Sequence, residues 1–116
     1  MIITLEGEKC PSWNTFYSGK HWTKRKEEVD RVHMLVRSQI DPDLKQIGVP
    51  VNIRVTAFYA DKRKRDSDNI AAKLYIDGLK PFVIPEDDYH HVHDVTTRAK
   101  HDPSGDKVVI EVIPIF

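Results

Sequence analysis

Four consecutive cations run directly into two carboxylates that are two residues apart, and together these groups could act on a phosphodiester. The cations are Lys62, Arg63, Lys64 and Arg65, and the carboxylates are Asp66 and Asp68. Lysine and arginine neutralise nucleic-acid phosphates, and carboxylate oxygens are the ligands that Mg²⁺ prefers. The stretch therefore predicts a nucleic-acid site beside a metal site. Two structural alternatives stay open: Asp66 could pair with a neighbouring arginine, and Asp68 could cap a helix.

Charged residues further along the chain could complete such a site. Lys73 follows Asp66 by seven residues and would share a helix face with it if the helix began early. A lysine there could stabilise the charge that develops on a phosphate, or it could pair with Asp77 on the surface. The acidic group at residues 86–88 offers a third carboxylate, or else a solvated turn. Hydrolysis of a phosphodiester by Mg²⁺ needs acidic ligands with positions left open for water and substrate.

The segment from residue 8 to residue 22 is rich in turn-forming residues and predicts a loop. It also carries aromatic side chains among cations: Trp13, Phe16, Tyr17, Trp22, Lys20 and His21. We expect Trp13 and Phe16 to pack on the core. Tyr17 and Trp22 could do the same or could stack on exposed bases, with Lys20 touching phosphate beside them.

Six regular elements are expected to position these residues. They are a strand at 2–6, a helix capped by Thr23 and running to about Ile40, a strand at Val51–Tyr59, a helix at 69–79, a strand at 89–99 and a strand at 108–113. The order β-α-β-α-β-β predicts an α/β (α+β) fold, in which two main helices pack on one mixed sheet. Since the last strand is apolar on both faces, we expect it to be central or sandwiched.

Bulk properties limit the class of protein. The chain has 116 residues, enough for one domain, and its net charge is zero, which argues against indiscriminate coating of nucleic acid. The single cysteine, Cys10, cannot form an internal disulfide and suits a reducing compartment. No signal peptide is visible, and no apolar run reaches the ~20 residues of a membrane helix. We therefore expect a cytoplasmic protein with no membrane partner.

Several short motifs follow one another over nearly the whole chain. They are Pro11-Ser12-Trp13-Asn14 with the later Tyr17, Arg65-Asp66-Ser67-Asp68-Asn69-Ile70, Lys73 to Leu79, and Asp87-Asp88. In combination they resemble the RusA-type Holliday junction resolvases. One spacing differs, because the lysine follows the second aspartate by four residues in the family pattern and Lys73 follows Asp68 by five. Either the helix begins one residue later or Lys73 is aimed differently.

The resemblance implies a homodimeric, Mg²⁺-dependent endonuclease, with Mn²⁺ as a possible substitute, that cuts four-way DNA junctions by paired nicks. It implies that Asp66, Asp68 and Asp88 hold the metal ion, with Asp87 the less favoured of the adjacent pair. It also gives Lys73 a catalytic role and Arg65 a DNA-binding role.

Two other functions remain compatible with the residues. A module that binds structured or single-stranded DNA without cleaving it would use the same cations and aromatics. A small protein–protein adaptor would need neither the cations nor the aromatics. That function does not explain why cations and carboxylates are separated into adjacent blocks.

Overall fold

One mixed sheet of four strands forms the centre of the molecule. The computed structural model describes residues 1–19 and 21–116. The strands are β1 (Ile2–Glu6), β2 (Val51–Tyr59), β3 (Val92–His101) and β4 (Lys107–Pro114), in the spatial order β1-β4-β2-β3. β4 is antiparallel to both neighbours, whereas β2 and β3 are parallel. The predicted single mixed sheet is confirmed, and β4 is central as its two apolar faces indicated.

The described residues form three helices rather than two: α1 (Trp13–Tyr17), α2 (Trp22–Ser38) and α3 (Lys73–Asp77). The prediction of a continuous loop at 8–22 was wrong at α1, where the Ser12 hydroxyl accepts a hydrogen bond from the Thr15 amide at 3.0 Å and caps the helix. α2 is capped by His21 rather than Thr23, because the His21 ring nitrogen accepts from the Thr23 amide. None of the helices in the described residues is long and apolar enough to cross a membrane.

α3 is much shorter than the predicted helix at 69–79. The residues before it are held in another conformation by the segment that leads into α1. The Trp13 amide donates to the Asn69 carbonyl at 3.0 Å, the Ala71 amide donates to the Pro11 carbonyl at 2.9 Å, and Ser12 and Ile70 form an antiparallel bridge. These long-range bonds replace the first turn of the predicted helix. Gly78 follows α3 as its C-cap, one of the two predicted ends.

The core lies between one face of the sheet and the helices α2 and α3. The alternating residues of β2 from Val51 to Tyr59 are buried, and so are Val32 and Val36 of α2. Both patterns were predicted from their apolar spacing; Val29 and Ile40, at the ends of the α2 stripe, are only partly buried.

A buried carboxylate just after β1 contacts both α2 and α3. Glu8 is 7% exposed and accepts two hydrogen bonds from the Arg31 guanidinium, at 3.1 and 3.0 Å. The Tyr75 hydroxyl donates to the same carboxylate at 2.8 Å. Because bidentate charge-assisted bonds are directional, this contact fixes α2 and α3 relative to β1. Burial raises the pKa of the Tyr75 hydroxyl, which therefore stays protonated as a donor.

Candidate active site and the adjoining basic cleft

The two aspartates at positions 66 and 68 lie in a tight turn that joins β2 to α3. The Asn69 amide donates to the Asp66 carbonyl at 3.0 Å, which closes the turn. The Ala99 amide of β3 donates to the Ser67 hydroxyl at 3.0 Å, which holds the turn against the edge of the sheet. Asp68 does not cap the following helix, because the residue before α3 is Ala72 and it makes no side-chain cap.

Three charged side chains from separate parts of the chain line one cleft of about 330 Å³, which we call the acidic cleft. Asp68 comes from the turn, Lys73 from the first position of α3, and Asp87 from the loop before β3. The Lys73 ammonium lies 3.0 Å from the Asp87 carboxylate and 3.3 Å from Asp77. The remaining walls are mostly apolar: Trp13, Ile70, Ala72, Ile76, Val92, Val95 and Thr97.

The position of Lys73 relative to Asp68 depends on where α3 begins. α3 begins at Lys73 itself, after the irregular stretch that pairs with residues 11–13. The idea that Lys73 and Asp66 share a helix face is therefore wrong. Lys73 reaches the carboxylates from the start of α3, and it also makes the predicted surface pair with Asp77.

The close approach of Lys73 and Asp87 stabilises both charges. The Lys73 ammonium lowers the pKa of Asp87 to about 2. In return the Asp87 carboxylate, together with Asp77, raises the pKa of Lys73. At neutral pH the acidic cleft therefore holds an ionised carboxylate and a protonated amine in direct contact.

Asp88 is turned away from this cleft, although the resemblance favoured it over Asp87. Its carboxylate lies 2.7 Å from the Nδ1 atom of His91 and accepts a bond from the His90 amide. The His91 contact lowers the pKa of Asp88. The structure thus brings Asp87 to Asp68 and Lys73. Nothing in the sequence distinguished the two adjacent aspartates, because their orientation depends on the turn that Asp88 closes with His91 and Val92.

A larger cleft of about 540 Å³ lies on the other side of the turn, and we call it the basic cleft. Its charged lining residues are Lys9, Arg63, Lys64, Arg65 and Asp66, and its other lining residues are Cys10, Pro11, Ser12, Thr15, Tyr59, Asn69 and Ile70. Asp66 lines this cleft, whereas Asp68 lines the acidic one. The predicted cations are divided as well, because Lys62 lines neither of the two clefts.

Arg65 is held by protein groups on two sides. Its guanidinium makes two hydrogen bonds to Asp61, at 2.6 and 3.0 Å, and lies 3.8 Å above the ring centre of Tyr59. Asp61 also accepts from the Lys9 ammonium at 3.1 Å. These bonds hold the pKa of Asp61 well below its usual range, with the Arg65 contact the largest cause. Asp61 and Lys9 were not singled out from the sequence; the spacing of Asp61 and Arg65, four residues, was the available signal.

Of the aromatic residues near α1, some pack on the core and others are exposed. Phe16 is buried and Trp13 is partly buried against the core, and Trp13 also lines the acidic cleft. Tyr17 and Trp22 are 59% and 61% exposed, so neither belongs to the core. Tyr17 stacks on Trp13, with ring centres 5.9 Å apart. The predicted phosphate contact at Lys20 lies outside the described residues.

The donor set of the acidic cleft suits a hard divalent cation. Among the described residues no group of three or more histidine, cysteine or acidic side chains is arranged to hold a metal ion. Two carboxylates, Asp68 and Asp87, line the acidic cleft. Mg²⁺ is commonly bound by one or two protein carboxylates together with water and substrate phosphates, so these two side chains fit an ion whose other ligands are water and a bound phosphate.

Comparison of the chain with protein-family models gave no match, and comparison with curated proteins gave no significant match. The case for a function therefore depends on the residues of this chain and on their placement.

Proposed function

We propose that the protein is a metal-dependent endonuclease that cuts four-way DNA junctions. One observation carries the proposal: Asp68, Lys73 and Asp87 line a single cleft, and a second cleft lined by cations adjoins it across one turn. Phosphodiester cleavage needs these two functions side by side, namely a cationic track that holds the DNA backbone and an acidic site that holds the metal. The RusA-type motifs lie on the same turn and on α3.

In this proposal Asp68 and Asp87 hold Mg²⁺ or Mn²⁺, and the ion supplies Lewis-acid stabilisation of the phosphate when it is bound. Lys73 then moves from Asp87 to the phosphate and stabilises the charge that develops on its oxygens. Trp13 and Val95 form part of the apolar wall of the cleft. The family resemblance assigns Asp66 and Asp88 to the same ion, and the cleft geometry favours Asp68 with Asp87.

The resemblance also supplies the finer parts of the proposal. Resolution of a junction requires two nicks, so a homodimer would present two acidic clefts to opposite strands. The free thiol of Cys10 agrees with a reducing compartment such as the cytoplasm.

A labelled four-way junction incubated with the protein and Mg²⁺ or Mn²⁺ tests the function in one experiment. We expect paired nicks that require the metal, and loss of cutting in Asp68→Asn with junction binding retained. Binding without cutting by the unaltered protein would support a non-cleaving DNA-binding module instead. If Asp68→Asn cuts at the normal rate, the assignment of the acidic cleft is wrong.

A further inference from the structure

The four cations that precede the turn do not have equal freedom to bind a ligand. Among the described residues, the side chains of Arg63 and Lys64 make no hydrogen bond or ion pair with another residue, and both line the basic cleft. Arg65 lines the same cleft, but its side chain is only 20% exposed and is committed to Asp61 and Tyr59. Sequence alone gave all four the same role.

The groups that hold Arg65 are themselves anchored. The Tyr59 hydroxyl donates to the Cys10 carbonyl at 2.8 Å, and the Tyr59 carbonyl accepts from the Asp102 amide at 2.9 Å. The Asp61 carboxylate accepts from the Arg63 amide and from the Lys9 ammonium as well as from Arg65. Arg65 is therefore attached to the last residue of β2, Tyr59, and to Asp61 just beyond it.

The position of Arg65 in the chain determines what this attachment controls. Asp66 is the next residue, and its carbonyl accepts the bond that closes the turn bearing Asp68. Downstream, the turn is fixed by the bond from Trp13 to Asn69, and at its middle by the bond from Ala99 to Ser67. Arg65 supplies the upstream attachment.

We infer that Arg65 is a positioning residue, clamped by Asp61 onto the Tyr59 ring, that holds the turn carrying Asp66 and Asp68, and that the phosphate contacts of the basic cleft belong to Arg63 and Lys64. Its effect on cleavage rests on the proposed nuclease function, whereas its effect on the turn does not. Asp61 then has a defined role. Its negative charge would weaken DNA binding to the basic cleft, but its carboxylate holds Arg65 in place.

Substitutions that separate charge from geometry test the inference. Arg65→Lys keeps the positive charge but loses the planar two-point bond and the stacking. We expect Arg65→Lys, Arg65→Ala and Asp61→Asn each to lower the single-turnover cleavage rate by about 10- to 100-fold, the scale of a small misplacement of reacting groups. Because the two residues act as one unit, the double variant Asp61→Asn/Arg65→Ala should be little worse than either single variant.

Junction binding should depend on Arg63 and Lys64 and not on Arg65. Arg63→Ala and Lys64→Ala should each reduce the slope of log binding constant against log salt concentration by about 0.9, the value for one lost phosphate contact. Arg65→Ala should leave this slope unchanged, and Asp61→Asn should bind the junction as tightly as the unaltered protein or more tightly. A loss of about 0.9 in the slope for Arg65→Ala, with a normal cleavage rate, would overturn the inference.

A readout independent of activity separates this inference from the proposed function. Amide hydrogen exchange by NMR reports the turn through the Asn69 amide and the Ala99 amide, which are bonded to Asp66 and Ser67. We expect faster exchange at both amides in Arg65→Lys and Asp61→Asn, and no change in Lys64→Ala. Failure of the unaltered protein to cut junctions would reject the nuclease but not the clamp, and unchanged exchange would reject the clamp whatever the activity.

Discussion

At the scale of single residues, aspartates that are neighbours in the sequence have different surroundings. Asp66 and Asp68 line different clefts, and Asp87 meets Lys73 while Asp88 meets His91. In each pair the residue type could be predicted from the sequence as a candidate ligand. The side on which it lies depends on turn bonds made through the backbone, and residue spacing alone does not reveal these bonds.

The first prediction compares the adjacent aspartates. If the protein is the proposed nuclease, Asp87→Asn removes a carboxylate from the acidic cleft and should lower the single-turnover cleavage rate by at least about 100-fold, as expected for loss of a group that stabilises the transition state. Asp88→Asn should have a much smaller effect, because Asp88 is bonded to His91 outside that cleft. Rates measured at saturating Mg²⁺ check this, and equal losses in both variants would favour the wider ligand set that the resemblance implies.

The second prediction concerns the amine in the acidic cleft. In the proposed nuclease, Lys73→Ala should reduce cleavage by about 100- to 1,000-fold, the usual loss for one group that stabilises developing oxyanion charge. Lys80→Ala is a matched control, because Lys80 also contacts Asp87, at 3.4 Å, and Asp77, at 3.7 Å, but does not line the cleft. The control should stay within a few-fold of the unaltered rate. Similar losses in both would mean that Lys73 acts only by holding Asp87.

At the scale of secondary-structure elements, tertiary contacts override local preference most clearly before α3. Residues 69–72 contain good helix formers, and the sequence predicted that the helix would include them. In the structure they pair with residues 11–13, so α3 starts at Lys73. The strands were easier to predict, because β2 buries alternating apolar residues and that pattern is local.

The third prediction tests the contact between α2 and the end of α3. A Cβ atom at Gly78 would lie 2.9 Å from the Cβ of Val36, so Gly78→Ala should lower the free energy of unfolding by about 1–3 kcal/mol through overpacking. Gly48→Ala is the control, because an added Cβ there meets nothing within 4 Å. It should be neutral or stabilising by up to about 1 kcal/mol. Urea unfolding measures both, and equal effects would contradict the steric explanation.

The double variant Gly78→Ala/Val36→Ala sharpens this test. Val36→Ala alone should destabilise the protein because it leaves a cavity in the core. Val36→Ala removes the Cγ1 atom, which would lie 3.2 Å from the added methyl, but keeps the Cβ atom at 2.9 Å. The double variant should therefore lose only slightly less stability than the sum of the two single losses.

At the scale of the whole molecule, the net charge is zero, yet several carboxylates have lowered pKa values. They are Asp61, Asp87, Asp88 and Asp102, each lowered chiefly by a hydrogen-bonding side chain. The overall class and the mixed sheet could be predicted from sequence. The local ion pair of Lys73 with Asp77 could be predicted from its spacing, but long-range pairs could not, because contacts such as Lys9 with Asp61 join residues far apart in the chain.

The fourth prediction follows from these pKa values. An aspartate that is more acidic in the folded state contributes stability above its unfolded pKa of about 3.9 and loses that contribution as the pH falls towards the folded value. The free energy of unfolding should therefore decrease between about pH 4 and pH 2, the pKa of Asp87 being about 2. Asp87→Asn should show a smaller decrease over that range in urea titrations. An identical pH dependence in the variant would show that Asp87 does not contribute.

The bond from the Ala99 amide to Ser67 has a consequence for self-association. β3 pairs with β2 on one side only, so its other side is an open edge that could recruit a strand from another molecule. The turn at Ser67 covers part of that edge by occupying an amide that such a strand would need. Loosening the turn would free that amide for pairing with another molecule, and we expect it to lower the solubility of the protein.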